Sequence, residues 1–150
     1  MDGLNTKQID KAISRVPGFL GAYPFDELPE KVQGDFSLVI NTEVSTMPGD
    51  HWLALVQKEQ KLYFLDSYGR NIKDLTFPAE FKATILKYIN NSKCKSNPMW
   101  LQQLTSNTCG YYTMYFIEEL GKGSLNRALS IFSDNLAKND KLVINYGKHL

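Results

Sequence analysis

The chain has 150 residues, 43% hydrophobic and 22% charged, which fits one domain able to bury a core and argues against wholesale disorder. Its 17 Lys and Arg against 16 Asp and Glu leave a formal net charge of +1, too balanced for a protein whose main business is coating nucleic acid. No apolar run approaches the roughly 18 residues of a membrane span, the N-terminus carries no signal-peptide pattern, and two Cys exclude a disulfide scaffold.

The expected compartment is a reducing one. His51, Cys94, Cys109 and His149 form none of the close ligand pairs that zinc sites favour, so metal-free chemistry is expected. No repeat, low-complexity stretch or long linker divides the chain, and residues 1–150 read as a single domain.

Asn5 or Thr6 can cap a first helix with Ile9, Ile13 and Val16 on one stripe, stopped by Pro17-Gly18. Residues 19–35 read as irregular, punctuated by Gly21, Pro24, Pro29 and Gly34. Phe36 to Thr42 is a strand, followed by a loop with Pro48 and Gly49 and then two apolar runs, His51 to Gln57 and Lys61 to Asp66. Pro78 opens a helix running to about Asn90, with Phe81, Ile85 and Ile89 on one face. Asn97 to Leu104 reads as a further strand. Thr108 to Leu120 is apolar nearly all round, the mark of a helix buried in the domain, with Gly121 as its stop. A last helix covers Ser124 to Lys138, and the tail after it carries no assignment. The class is α+β.

The two central apolar runs are apolar on both faces, as buried strands are. A hairpin with a four-residue turn, Gln57 to Gln60, sets Val56 opposite Lys61 and His51 opposite Asp66. An imidazole and a carboxylate then meet at the open end of the hairpin, where the carboxylate fixes the tautomer and raises basicity. A different turn length alters that register. The same residues also suit a strand-edge His and a turn-forming Asp in Asp66-Ser67-Tyr68-Gly69.

Cys109 opens the buried helix, a position that favours a thiolate. Its own N–H is an orphan donor of the first turn, available to an oxyanion. Gly110 leaves room for a substrate carbonyl, and Gln102 or Gln103 supplies a side-chain amide for the other half of the hole. Alone, such a Cys also fits plain core packing. Cys94, in the polar segment Ser92-Lys93-Cys94-Lys95-Ser96, has no following helix and is a poor nucleophile candidate.

Gly49-Asp50-His51-Trp52, then Tyr63 to Gly69, then Gln102 to Gly110 occur in the order His, Asp, Gln, Cys. That order resembles the adenovirus-type cysteine proteases (adenains) and their relatives in virophages, related viruses and large DNA transposons. The SUMO-specific Ulp proteases belong to the same clan. The resemblance runs from about Phe19 to Leu120 and takes in Phe19 to Pro29 and Val39 to Thr42. It implies a central mixed β-sheet flanked by helices, a papain-like core in permuted chain order.

By the same resemblance His51 is the general base, Asp66 its orienting partner and Cys109 the nucleophile. The adenain spacing, seven residues before the Cys with a Ser three before it, selects Gln102 and Ser106 for the oxyanion hole. The Ulp spacing of six selects Gln103; Gln102 is preferred, and strand alternation lets only one of the two point into the site. Trp52 packs beside the imidazole, and Asp50 and Gly110 join it along the substrate path.

The implied reaction is cleavage at Gly-Gly-type sites in viral capsid or core precursors during virion maturation. It takes place in the virion and the host cell interior, at a nuclear or cytoplasmic assembly site. No cofactor is needed for the chemistry and no membrane partner is implied. The family's stimulators are DNA and a short viral peptide disulfide-linked to an upstream cysteine. Cys94, 15 residues before Cys109, is the candidate thiol for that peptide, an unpaired surface thiol being the competing reading. Without long basic extensions, nucleic-acid contact is expected to be weak. The alternatives are a deubiquitinating or deSUMOylating isopeptidase and an inactive capsid-binding relative.

Overall fold

The computed structural model describes residues 3–47 and 50–150. The expected loop at Pro48 and Gly49, and the Gly of the Gly-Asp-His-Trp motif, lie outside them. Helix α1 (Thr6–Ile13) is capped by Asn5, whose side chain accepts from the Gln8 N–H while the Gln8 side chain accepts from the Asn5 N–H. Ile9 and Ile13 are its buried stripe.

Strand β1 (Phe19–Pro24) then forms where irregular chain was expected. It is an edge strand parallel to β2 (Phe36–Asn41), and its register slips between Phe19 and Ala22. Gly21, at a φ of +120°, absorbs that slip, and Pro24 ends the strand, both tolerable at an edge. β3 (Trp52–Lys58) and β4 (Lys61–Leu65) follow, then α2 (Ala79–Tyr88) behind Pro78, and β5 (Cys94–Ser96). The sheet order is β1-β2-β3-β4-β5, parallel in the two outer pairs and antiparallel in the two inner ones.

The hairpin register differs from the expected one. Lys58 pairs with Lys61 and Val56 with Tyr63, around a two-residue turn, Glu59-Gln60. Both turn residues have positive φ, 52° and 67°, the form whose twist matches the strands. Glu-Gln lacks the Asn-Gly signature of that turn, which is why the sequence did not announce it. The slip is two residues, so every side chain keeps its face.

The expected strand from Asn97 to Leu104 is absent; the strand lies just before it, and 97–108 has no helix or strand. Asn97 ends the pairing with its side chain: Oδ1 accepts from the Asp66 N–H and Nδ2 donates to the Asp66 carbonyl, 3.1 and 2.7 Å. The alternation argument for Gln102 against Gln103 therefore does not apply, since both lie in a loop.

Helix α3 (Cys109–Lys122) passes through Gly121 and stops at Gly123, where the Lys58 ammonium binds the Leu120 and Gly123 carbonyls. The expected last helix is two: α4 (Leu125–Leu129), capped by Ser124, and α5 (Leu136–Lys148), capped by Asn135. Trp52, Ala54 and Val56 pack under α1, α3, α4 and α5, while Leu53, Leu55 and Phe64 pack against Phe81 and Ile85 of α2. Both faces of β3 are covered, and that is why it is apolar on both. The architecture is α+β, a mixed five-stranded sheet between helices.

Candidate active site

Cys109 is the first residue of α3 and only 8% exposed. It forms the end of a cavity of about 500 Å3 whose other walls include Leu4, Glu27, Glu43, Asp50 and Trp52. The Trp52 N–H points at its sulfur, 3.4 Å away. The Trp52 indole N–H donates to the Leu4 carbonyl at 2.9 Å, so the N-terminal segment holds that ring beside the thiol. Gly110, expected beside the substrate, instead packs inward: a Cβ there would stand 3.1 Å from that of Leu4.

His51 lies one residue before β3 and Asp66 one residue after β4. In the observed register Asp66 sits diagonally to His51 rather than opposite it, on the same face. The His51 Nε2–H donates to Asp66 Oδ1 at 2.5 Å, and Cys109 lies near enough to the ring to help raise its pKa. Since Nε2 is engaged by the carboxylate, Nδ1 is the nitrogen left for sulfur. One imidazole thus pairs with a fully buried carboxylate, with the Cys109 thiol nearby.

Two neighbours escaped the sequence reading. Tyr68 stacks on the imidazole at 4.9 Å and 15°. Arg70 donates from Nε to the second oxygen of Asp66 at 2.6 Å, with its guanidinium 4.0 Å above the Phe77 ring. The turn expected at Asp66-Ser67-Tyr68-Gly69 stops one residue short of Arg70, whose position four residues after the Asp was its only signal. That turn requires its glycine: Gly69 has a φ of +73°, and a Cβ there would lie 2.8 Å from the Met99 carbonyl group.

The electrostatics follow from these contacts. Burial alone pushes His51 down, but its bonds to Asp66 and Cys109, and their charges, outweigh this and raise it to about 9. Burial pushes Asp66 up, while His51 and Arg70 together hold it below the usual carboxylate range. For His51 the raised value means that stability is fully present below the unfolded value of 6.5 and is lost as pH rises through about 9. For Asp66 the sign is opposite, with stability lost as pH falls below 3.8. An NMR titration of the His51 imidazole is expected to give a midpoint near 9. A midpoint at or below 6.5 would contradict the charged pairing.

Gln102 is 1% exposed and its amide is locked. The Ser67 hydroxyl donates to Oε1 at 2.6 Å, and Nε2 donates to the Ser106 carbonyl at 2.9 Å. One N–H of that amide therefore remains for another acceptor. Gln103 is exposed. Cys94 pairs beside Leu62, at the end of β4 opposite to Asp66, so it does not join the other site residues. Burial raises its thiol.

No family model matches the sequence, and no curated protein matches it. Among solved structures the chain is similar to the crystal structure of ASFV pS273R protease, with a TM-score of 0.58 and 14% identity. The match covers 93% of this chain and 64% of that one, so the chain spans less than two thirds of the protease. At this identity the likeness is one of fold.

Proposed function

We propose that the protein is a cysteine endopeptidase of the adenain and Ulp type, with a papain-like core in permuted order. The observation that carries this reading is the His51 imidazole bonded to the buried Asp66 carboxylate and lying near the Cys109 thiol, which begins α3. Oriented by Asp66, His51 is placed to take the Cys109 proton and so activate the sulfur for attack. Fold likeness to a solved protease adds support.

The thiolate attacks the substrate carbonyl carbon, and the oxyanion is met by the free Gln102 amide N–H and the Cys109 N–H. His51 gives its proton to the leaving amine, and an acyl-enzyme forms. Water then adds with His51 as base, the thioester breaks, and the acid leaves. Asp66 holds the ring throughout, and Arg70 holds Asp66. Asp50 and Trp52 line the cavity that ends at the thiol and would contact the acyl side of the substrate.

The proposed substrates are Gly-Gly-type sites in viral capsid or core precursors, cut during maturation in the virion or the host cell. Cys94, at the far end of β4, takes part in no step. The test is hydrolysis of Leu-X-Gly-Gly carrying a fluorescent leaving group, run alongside a ubiquitin-tail probe, with and without DNA. Wild type and Cys94→Ser are expected to cleave the peptide at the same rate. No turnover of the peptide under any of these conditions would overturn the reading, and turnover of the ubiquitin probe alone would make the protein an isopeptidase.

A further inference from the structure

The start of α5 brings two buried polar side chains under the loop that leads into α3. Asn139 is fully buried, and its amide donates to the Leu101 and Ser133 carbonyls at 3.2 and 2.8 Å while accepting from the Ser133 N–H. Asp140 is 5% exposed. Its Oδ1 accepts from the Thr108 hydroxyl at 3.0 Å and from the Tyr112 phenol at 2.8 Å. Its Oδ2 has no hydrogen-bond partner among the described residues.

Proton directions extend this contact. Thr108 gives its one hydroxyl proton to the carboxylate, so in its 2.9 Å contact with Ser106 Oγ only Ser106 can donate, and that same Ser106 proton also has the Gln103 carbonyl within reach at 3.0 Å. The Ser106 carbonyl receives the Gln102 amide. Three polar contacts therefore lead from Asp140 through Thr108 and Ser106 to Gln102, the middle one sharing the Ser106 proton with the Gln103 carbonyl. The Tyr112 phenol proton has two acceptors within reach, Asp140 Oδ1 at 2.8 Å and the Leu101 carbonyl of the same loop at 3.0 Å.

A buried carboxylate with one oxygen unpaired costs stability, and a well-packed apolar residue would be cheaper there. What it supplies is a fixed point. The segment 101–108 has no helix or strand; Ser67 and Asn139 hold its start at Leu101 and Gln102, residues 103–105 are exposed, and Asp140 holds its far end at Thr108. Thr108 leaves its own helix uncapped in order to reach Asp140.

We propose that Asp140 is a positioning residue of the oxyanion hole, holding the Gln102 amide and the first N–H of α3 at a fixed separation. It touches neither substrate nor thiol and acts through Thr108 and Ser106. Donors displaced by about 1 Å lose transition-state stabilisation while ground-state binding changes little. The proposal takes the use of these donors from the peptidase reading; the hydrogen-bond chain itself stands apart from it.

The experiment compares Asp140→Ala and Asp140→Asn on the Gly-Gly peptide, with rates normalised to alkylatable Cys109. Asp140→Ala is expected to lower kcat by about 10–100-fold with KM within about twofold. Asp140→Asn keeps an oxygen for both hydroxyls and is expected to retain kcat within about threefold, while its buried N–H groups lower the Tm. In a Gln102→Ala background, Asp140→Ala is expected to cost less than about threefold more. Unchanged kcat in Asp140→Ala, equal loss in the Asn variant, or losses that multiply in the double variant would each overturn the proposal. If Asp140→Ala does not fold, Thr108→Val breaks the same link with a smaller change and carries the same expectations. If the wild type cleaves no peptide, the peptidase reading fails by itself. The chain is then read from the Gln102 side-chain NMR signals, which are expected to shift or broaden in Asp140→Ala. Unchanged signals would overturn it.

Discussion

Cys109→Ala is expected to lower peptide hydrolysis by about 10⁴–10⁶-fold, to the level left by binding and the oxyanion donors alone. The variant removes the only nucleophile the site offers, yet it takes away a single sulfur at a position 8% exposed. Its structural cost comes from the Trp52 N–H, which loses its acceptor, and amounts to about 1–3 kcal/mol. Urea unfolding of the variant separates that loss from the catalytic one. His51 keeps Asp66 but loses the Cys109 contact that helps raise it, so its NMR titration midpoint is expected to fall below the wild-type one. Cys94 is the only other thiol in the chain, which makes Cys94→Ser the decisive control. Hydrolysis that survives Cys109→Ala and disappears with Cys94→Ser would place the chemistry at the far end of β4 and end the present reading.

The parts of the site legible in the sequence were those that depend on side-chain chemistry at a chain landmark. Cys109 stood out because it begins an all-round apolar helix, and His51 and Asp66 because each ends an apolar run. Their meeting was inferred through the wrong register and still occurs, because an even slip keeps both residues on one face. What stayed hidden depended on long-range contacts. β1 carries Gly21 and Pro24, which argue against a strand until its edge position beside β2 is known. The pairing of Cys94–Ser96 with β4 gives no local signal in a lysine-rich tripeptide. Helix α5 was unreadable because its polar residues, Asn139 and Asp140, sit where a sequence would put apolar ones; the partners Leu101, Thr108 and Tyr112 lie over 25 residues away. Arg70 is the local exception, its partner Asp66 standing only four residues before it.

Gln102→Ala is expected to lower kcat by about 10²–10³-fold with little change in KM, because in the proposed mechanism its amide acts on charge that develops only in the transition state. The geometry gives the amide no freedom to adapt: Ser67 fixes its oxygen and Ser106 takes one of its two protons. Gln102→Glu tests this more sharply than Ala. It preserves size and can still accept from Ser67, but the second oxygen faces the Ser106 carbonyl without a proton and confronts the oxyanion with like charge. It is therefore expected to be no more active than Ala, and less stable. Gln103→Ala changes an exposed side chain and is expected to leave kcat within about twofold. If Gln103→Ala proves the damaging variant, the spacing of six residues before the Cys is the operative one and the buried Gln102 is a structural brace. Equal damage from both would mean that the loop as a whole, and not one amide, sets the transition-state contact; the restraint imposed on that loop by α5 would then matter more than either glutamine.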